Sequence, residues 1–474
     1  MTKQSVEATS TVSPTPNLAA LPQDVKLWFV EIVAARSWSS LVSLSAVNKE
    51  WNAFADVHLW SAVHLTPAAT STLEFLAFEL MPRIGKHVHD LEIERWVHCV
   101  KFQCEDAPRP PPPATAEEIK RLERVLGLPG PPAARALAWN HRIARVQNAL
   151  LARILRSCVA LKTIMVRGGL SVRTYDDYKE SFSDLVPPRL VPNLVYPALK
   201  QIGQTVEDVH LDMGPGVGDD AIPIAEMGQI LENFPNCRYL RLCFEDLKSK
   251  HWNPSNKRKL MWTLSYLSKL EALTFTRCTA IGKMLDYEDI SLPASLSELG
   301  IHCAALSVDM IRKIGDRYGT QLTKLGVGDL DQPLHVARAD TTDQPAAHAM
   351  QFPVLDTLLL TTQFDLGFLK LFGDSPLRYV ILDHGPRRDQ VTVLRYFTVV
   401  RLAPPGRDPS VAAISASDLL QVLEAHKSTL EVVRVHEHVL TAADVEVERL
   451  ESWLGLNGID GGVYGDACSG HHHH

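Results

Sequence analysis

Residues 224–242, IAEMGQILENFPNCRYLRL, show the pattern that decides the fold. A helix-like stretch is followed by a short turn, and Leu240 and Leu242 then alternate with polar residues, as in a strand with one buried face. The same order recurs as LARILRSCVALKTIMV at 151–166, LMWTLSYLSKLEALTF at 260–275 and LLQVLEAHKSTLEVVRV at 419–435. The sequence therefore predicts an α/β fold in which helices and strands alternate.

The strand part of this pattern, apolar-x-x-apolar-x-apolar, is repeated along the chain. Its copies are Val88-Leu91-Ile93, Leu161-Ile164-Val166, Val206-Val209-Leu211, Cys237-Leu240-Leu242, Leu270-Leu273-Phe275, Leu296-Leu299-Ile301, Leu322-Leu325-Val327, Leu355-Leu358-Leu360, Leu377-Val380-Leu382 and Leu430-Val433-Val435. Copies between 206 and 377 start 22 to 33 residues apart. This spacing straddles the period of leucine-rich repeats and favours a horseshoe-shaped solenoid, with parallel strands on the concave side and helices outside. The alternative is an ordinary doubly wound α/β domain, in which loose LxxLxL patterns also occur.

Residues 21–65, LPQDVKLWFVEIVAARSWSSLVSLSAVNKEWNAFADVHLWSAVHL, predict a small helical module. On its first helix Val25 and Phe29 share one face, whereas Leu27 and Val30 point roughly the opposite way. A helix that is apolar on two sides is normally buried on two sides, and a module of about 45 residues can cover only one of them. We therefore expect a partner to cover the other side. The alternative is that the helices dock onto the domain that follows.

The LxxLSxVxxxW spacing from Leu41 to Trp51, followed by the Leu59-Trp60 pair, resembles an F-box. The F-box is the adaptor-docking module of Skp–cullin–F-box ubiquitin ligases, and its combination with irregular repeats is most similar to divergent F-box proteins of fungi. The resemblance implies that the adaptor is contacted by Leu21, Pro22, Val25, Phe29, Leu41 and Leu44. It also implies that the core of the module is built by Val47, Trp51 and Trp60. Bulky Trp28 departs from the family's pattern.

These patterns divide the chain into four parts. A disordered polar tail at 1–17 precedes the F-box module at 18–66, and leucine-rich-repeat-like units fill 67–455. Proline-rich stretches at about 105–133 flank the charged helical segment AEEIKRLERVL and indicate a surface insertion. A glycine-rich flexible tail at 456–474 ends in four histidines, which are left out of the fold prediction.

Composition indicates an intracellular folded protein. The chain has 474 residues, of which 46% are hydrophobic, enough for a sizeable core. The net charge of −7, with both signs interspersed, gives no basic footprint for nucleic acid or an anionic membrane. The N-terminus lacks the apolar core of a signal peptide, and no apolar run is long enough to span a bilayer. Eight scattered cysteines are typical of free thiols in a reducing compartment, so the cytoplasm or the nucleus is expected.

No catalytic pattern emerges from the sequence, and neither a catalytic residue nor a cofactor is expected. GPGVGDD at 214–220 is glycine-rich, but no GK[ST] follows it, and a GxSxG elbow is absent. A zinc site could be considered where histidines and cysteines cluster in sequence, at His87, His89, His98, Cys99 and Cys104. Their spacing matches no zinc motif, so solvated or partly buried histidines are the favoured interpretation and no metal is expected.

What remains is binding. In a solenoid the outward residues of the strands form a continuous concave surface. The residues expected to bind a target there are His210, Asp212, Arg241, Tyr239, Thr276, His302, Tyr379, Asp383, Arg434 and His436. We also expect Leu273 to be buried and its neighbour Thr274 to face solvent.

Together with the F-box resemblance, this surface predicts a non-catalytic substrate receptor of a ubiquitin ligase. Its partners would be a Skp-type adaptor, through it a cullin–RING ligase, and an unidentified protein substrate, with no nucleic acid or membrane involved. The alternative is a repeat scaffold that has no link to ubiquitination.

Overall fold

The computed structural model describes most of the chain and shows a mixed α/β fold with a parallel sheet. The described residues are 21–65, 69–94, 114–128, 139–167, 194–212, 224–243, 254–276, 291–302, 307–328, 350–361, 364, 366–382, 414–436, 440 and 444–464. The predictions about the polar tail, about the proline-rich stretches at 105–113 and 129–133, about GPGVGDD, and about His98, Cys99, Cys104 and Asp383 concern residues outside these ranges.

Helices and strands alternate through most of the described chain. The helices are α1 (Gln23–Arg36), α2 (Trp38–Ser45), α3 (Lys49–Leu59), α4 (Thr70–Phe75), α5 (Met81–Ile84), α6 (Ala116–Val125), α7 (Trp139–Ser157), α8 (Tyr196–Ile202), α9 (Ile224–Leu231), α10 (Pro254–Tyr266), α11 (Val308–Tyr318), α12 (Leu366–Lys370), α13 (Ala416–Ala425) and α14 (Asp444–Leu456). A π-helical turn at Leu76–Leu80 joins α4 to α5, and a 3-10 turn at Gly85–His87 follows α5. The strands are β1 (Ala62–Leu65), β2 (Asp90–Glu94), β3 (Thr163–Arg167), β4 (Asp208–Asp212), β5 (Tyr239–Cys243), β6 (Ala272–Thr276), β7 (Glu298–His302), β8 (Lys324–Gly328), β9 (Thr357–Leu360), β10 (Tyr379–Leu382), β11 (Val432–His436) and β12 (Asp460–Tyr464).

The twelve described strands follow one another in the sheet in the order of the sequence, and each pairs in parallel with the next. From β1 to β10, the carbonyl of the residue just before a strand accepts hydrogen bonds from two backbone N–H groups at the beginning of the next strand. The carbonyl of Lys162, for example, accepts from the N–H groups of Glu207 and Asp208, at 2.9 and 3.1 Å. This pairing recurs without a break from the carbonyl of Ser61 to that of Arg378. The ten strands predicted from the apolar repeat, β2 to β11, are therefore confirmed as strands of one parallel sheet.

The core lies between the helices and one face of the sheet. In β2 to β11 the second and fourth residues are buried on the side of the helices, as Leu273 and Phe275 of β6 are buried together with Leu260 and Leu264 of α10. The first, third and fifth strand residues form the other face of the sheet, which we name the front face. Leu273 is 0% exposed, so its predicted burial is confirmed.

Polar side chains fix where several helices begin. Ser37, Asn48, Thr115, Ser307 and Ser415 each precede a helix, and each accepts a hydrogen bond from a backbone N–H in its first turn. Such caps satisfy donors that have no partner inside the helix, and each stabilises it by about 1 kcal/mol. The charged stretch predicted as a helix is α6.

Helices α1 to α3 form a module with its own core. This core consists of Val30, Leu41, Leu44, Trp51, Ala55 and Leu59. Trp60 packs against both this core and the core of the sheet, and β1 begins two residues later. The three-helix module is thus joined to the first strand without a linker.

The structure corrects three expectations about the ends and the face of the sheet. β1 was placed in the helical module but pairs with β2 as the first strand. The predicted flexible tail contains β12, which pairs with β11, and Gly461 is needed there because a Cβ would lie 1.9 Å from the Val433 carbonyl oxygen. Thr274 lies on the front face as predicted but is only 4% exposed, so the expectation that it faces solvent is wrong. α6 is likewise not a purely surface insertion, because Ile119 and Leu122 are buried in the main core.

Candidate functional site

The three-helix module carries apolar side chains on its surface as well as in its core. We name this the module surface, and its exposed members are Val25, Leu27, Trp28, Trp38, Val42, Val47 and Val57. Trp28 is 62% exposed and Trp38 is 59% exposed, although both are large aromatic side chains. Exposed large apolar side chains, where they form a contiguous patch, mark surfaces that bind another protein. On α1 Val30 is buried in the module core, whereas Val25 and Leu27 are exposed, so the helix carries apolar side chains both in the core and on the surface.

The residues assigned to the adaptor are divided between surface and core. Pro22 and Val25 are exposed, and Leu21 and Phe29 are half-buried. Leu41 and Leu44 are instead buried at 0% and 8%, so both are core residues and their side chains offer a partner little or no surface. The reason is that α2 turns this apolar edge towards α1 and α3.

The residues assigned to the module core are divided in the same way. Trp51 is fully buried, with its ring 5.9 Å from that of Phe29 in an edge-to-face arrangement, and Trp60 is half-buried. Val47 is 58% exposed, so its assignment to the core is wrong. It lies in the turn that leads into α3, one residue before the cap Asn48, where a side chain is not held against the bundle.

A buried charge in the module was missed by reasoning from sequence. Lys26 is 4% exposed, and its Nζ contacts the carboxylate of Glu50 at 2.9 Å. The signal that could have found it is its position, since Lys26 and Val30 occupy the same face of α1 four residues apart. Lys26 therefore lies on the side of α1 that faces the module core, and the carboxylate of Glu50 on α3 compensates the charge of its ammonium group.

The front face is charged over β1 to β5. On β2 the carboxylate of Glu92 contacts the Arg167 guanidinium of β3 at 3.0 Å, and His64 of β1 lies 3.9 Å from the same carboxylate. On β4 the ring of His210 contacts Asp208 at 3.0 Å. Arg241 of β5 and Asp212 of β4 are half-buried on this face. Three of the predicted binding residues, His210, Asp212 and Arg241, are therefore brought together on adjacent strands.

Over β6 to β9 the third and fifth strand positions of the front face are uncharged and mostly small. Thr276 is 1% exposed and His302 is 8% exposed, so neither lies on an open surface as predicted. The His302 ring passes over Gly328 of β8, and its Nδ1 lies 3.3 Å from the Thr361 hydroxyl. Only glycine fits beneath it, because a Cβ at 328 would lie 2.7 Å from Nδ1.

His302 is uncharged at neutral pH. Its burial, together with the neighbouring Arg241 guanidinium, lowers its pKa to about 4. Burial likewise lowers the pKa of Arg241, against the opposing pull of Asp212 and Asp208. The Arg241 cation therefore lies beside a neutral imidazole at the junction of the two parts of the front face.

Two of the predicted binding residues have a structural partner at the start of their strands. The Tyr239 hydroxyl donates to Glu271 at 3.3 Å, and the Arg238 guanidinium donates to both oxygens of Glu271, at 2.9 and 2.8 Å. The hydrogen bonds from Arg238 lower the pKa of Glu271. The tyrosine is thus part of a clamp between β5 and β6.

The same clamp is repeated five strands further on. The Tyr379 hydroxyl donates to Glu431 at 2.7 Å, and Arg378 Nε donates to the same carboxylate at 2.9 Å. These hydrogen bonds lower the pKa of Glu431, that from Tyr379 most. Sequence alone could have found both clamps, because the dipeptide Arg-Tyr is followed in the next repeat by Leu-Glu in each case. Tyr239 and Tyr379 thus hold neighbouring strands together, and their assignment as binding residues stays a prediction.

Two more predicted binding residues lie on β11. Arg434 is half-buried on the front face. His436 ends the strand, and its side chain lies outside the described part of the structure. Among the described residues the predicted surface is only partly assembled, with His210, Asp212 and Arg241 as a group on two adjacent strands.

Nothing in the described ranges groups three or more His, Cys, Asp or Glu side chains so that they could hold a metal ion. In those ranges no helix combines the length and the apolar character needed to cross a membrane. No protein-family model matches the chain, and no curated protein matches it either. Function is therefore inferred from the residues and their geometry.

Proposed function

We propose that this chain is the substrate-recognition subunit of a Skp–cullin–F-box ubiquitin ligase. The observation that carries the proposal is the module surface, where a small bundle with a complete core still exposes Trp28, Trp38 and Val25. Exposed aromatic residues of this kind are typical anchors at protein interfaces. A Skp-type adaptor would bind this surface and link the chain to a cullin–RING ligase.

The module agrees with the F-box resemblance in its organisation. Three helices of 14, 8 and 11 residues succeed one another with short turns, and the second and third begin at side-chain caps. Trp51, the last residue of the LxxLSxVxxxW pattern, is fully buried at the centre of the core. The adaptor contacts are revised accordingly to the exposed or half-buried Leu21, Pro22, Val25 and Phe29, to which Trp28 and Trp38 are added.

The remaining chain supports a leucine-rich-repeat-like solenoid, with the front face as its concave side. Its strands are added in sequence order, and the paired N–H groups on one carbonyl recur from each repeat to the next. Within the described residues each strand therefore pairs only with its neighbours in the sequence, as in repeat proteins. A doubly wound sheet would instead reverse its strand order at a switch point.

In this proposal the chain carries no catalytic residue. The front face would hold a target protein, and a separate conjugating enzyme would modify the target's lysines at raised effective concentration. The expected site of action is the cytoplasm or the nucleus, where such ligases work.

The test is co-purification of the full chain with a recombinant Skp-type adaptor and a cullin. Trp28→Ala combined with Trp38→Ala is expected to abolish adaptor recovery, because anchors of this type commonly contribute about 2 kcal/mol or more each. The matched control is Trp262→Ala combined with Tyr266→Ala, which removes an exposed aromatic pair on α10. Equal recovery of the adaptor with both double variants would contradict the proposal.

A second function, a repeat scaffold without a ligase role, is favoured by one observation. Trp60 packs against the cores of both the module and the sheet, so the module also caps the first strand. A monomer that ignores the adaptor but loses stability on Trp60→Ala would favour this role.

A further inference from the structure

One basic residue on the front face, Arg241, differs in its surroundings from the basic residues that form ion pairs. Arg167 contacts Glu92 at 3.0 Å, and Lys324 contacts Glu298. Arg238 and Arg378, at the strand entries, each donate to a glutamate on the next strand. In the described part of the chain, no carboxylate lies within 4 Å of the guanidinium of Arg241.

The missing partner matters because the Arg241 side chain is partly buried. Burial lowers the pKa of Arg241, and this effect outweighs the attraction of the Asp212 and Asp208 carboxylates, which lie too far away to form ion pairs. A cation removed from water without a direct partner is unfavourable until an anion reaches it. Arg434, which also has no ion pair in the described residues, lies on β11, six strands away from β5 in the sheet.

The neighbours of Arg241 on the front face can accommodate an anion. Arg241 is in register with Thr274 of β6, and Thr276 is in register with His302 of β7. The Thr276 hydroxyl is buried and makes no hydrogen bond within the described residues. His302 is neutral, so it supplies a polar ring and no competing charge. The site therefore offers a guanidinium, a spare hydroxyl and an uncharged floor.

We infer that Arg241 anchors an anion subsite on the front face, which takes a carboxylate or phosphoryl group of the bound protein. The geometry of the guanidinium suits both groups, because its parallel N–H donors match two oxygens at once. This inference rests on the proposed function for the identity of the occupant as a protein segment. The subsite itself depends only on the side chains around Arg241.

The subsite is tested with the free anions as probes on the full chain. Thermal unfolding midpoints are measured in sodium chloride, sodium acetate and sodium phosphate at equal ionic strength and pH 7.5. A ligand that binds only the folded state raises the midpoint with its concentration. We expect acetate, phosphate or both to raise the midpoint above chloride, and the anion that does so assigns the group as carboxylate, phosphoryl or either.

Arg241→Gln is expected to weaken the apparent affinity for that anion about tenfold or more, as the loss of one charge-assisted hydrogen bond implies. Arg434→Gln is the matched control, a cation on the same face, and should respond as the wild type does. Asp212→Asn removes the nearest competing carboxylate on β4 and should strengthen the response. Arg241→Lys, which keeps the charge without the paired donors, replaces the Gln variant if that one does not fold.

An equal response of the wild type and both Arg241 variants to every anion would overturn the inference, since general salt effects act on all of them alike. So would a response lost equally in Arg434→Gln. Adaptor co-purification does not involve Arg241, so failure of the subsite and failure of the ligase role are distinguished by separate measurements.

Discussion

Lys26 Nζ lies 2.9 Å from each carboxylate oxygen of Glu50, and this ion pair ties the beginning of the first helix to the beginning of the third. The ammonium is buried, whereas the Glu50 side chain is half exposed. Replacing the carboxylate therefore leaves a charge in the module's core with its main partner gone. Replacing the lysine by an apolar side chain removes that charge altogether.

We predict that Glu50→Gln destabilises the module by about 1–2 kcal/mol, between the values for exposed and buried ion pairs. Lys26→Met should cost less, because an apolar side chain suits the site. Hydrogen exchange of amides in α1 and α3 measures both effects locally. Glu31→Gln, an exposed change on α1, is the control, and a larger loss for Lys26→Met than for Glu50→Gln would contradict the assignment.

On β6, Leu273→Ala is expected to cost about 2–5 kcal/mol, as large-to-small changes in a core do. Thr274→Val should be close to neutral, because its volume is conserved and no hydrogen bond of the Thr274 hydroxyl is seen among the described residues. Thr274→Ala should cost more than Thr274→Val, because the site is buried. Denaturant unfolding of the three variants decides this, and equal stabilities of Thr274→Ala and Thr274→Val would show that the site is open to water.

Three glycines near the C-terminal end of the described chain should respond differently to alanine. At Gly461, with φ of +123°, a Cβ would meet the Val433 carbonyl oxygen at 1.9 Å, so Gly461→Ala should detach β12 from β11. Gly455 lies inside α14 with open space around it, and Gly455→Ala should stabilise the helix by about 0.5–1 kcal/mol. Gly458→Ala, where φ is +67° and nothing is close, should cost about 1 kcal/mol. Hydrogen exchange of β12 amides separates these outcomes, and protected amides in Gly461→Ala would refute the close approach.

His302 makes stability depend on pH in the acid range. Its folded-state pKa of about 4 lies below the ordinary 6.5, so the unfolded chain takes up a proton first as the pH falls. The contribution of the neutral ring is complete above pH 6.5 and is lost towards pH 4, by up to about 3 kcal/mol. Unfolding free energies of the wild type and His302→Gln, measured between pH 7 and 4, should therefore converge on acidification. Parallel curves would contradict a neutral buried imidazole.

The strands were predictable because each buries two side chains in a fixed alternation. That signal predicts β2 to β11 from the apolar repeat, and it also assigns Leu273 to the core. It misses β12, where Gly461 and Gly462 carry no apolar side chain to mark the buried face. The alternation of apolar residues also cannot predict that Thr274, Thr276 and His302 are buried, because the burial of the front face depends on tertiary packing.

The module shows the same division between local and tertiary information. The two apolar sides of α1 follow from spacing along one helix. Which of Leu41, Leu44 and Val47 faces inwards depends on how α2 and α3 lie against α1, and the F-box pattern alone assigned them to the opposite places. The clamps made by Tyr239 and Tyr379 link residues more than thirty positions apart in sequence, so they become visible only when successive repeats are aligned with one another.

The order of the sheet has a consequence for synthesis on the ribosome. Every strand pairs with the one made just before it, so a growing chain always finds its docking edge already formed. Assembly can then advance from the N-terminus at the pace of translation, with only the newest strand exposed at any moment. Because the first strand follows directly on the three-helix module, that module is complete before the sheet begins to grow, and elongation proceeds outward from it.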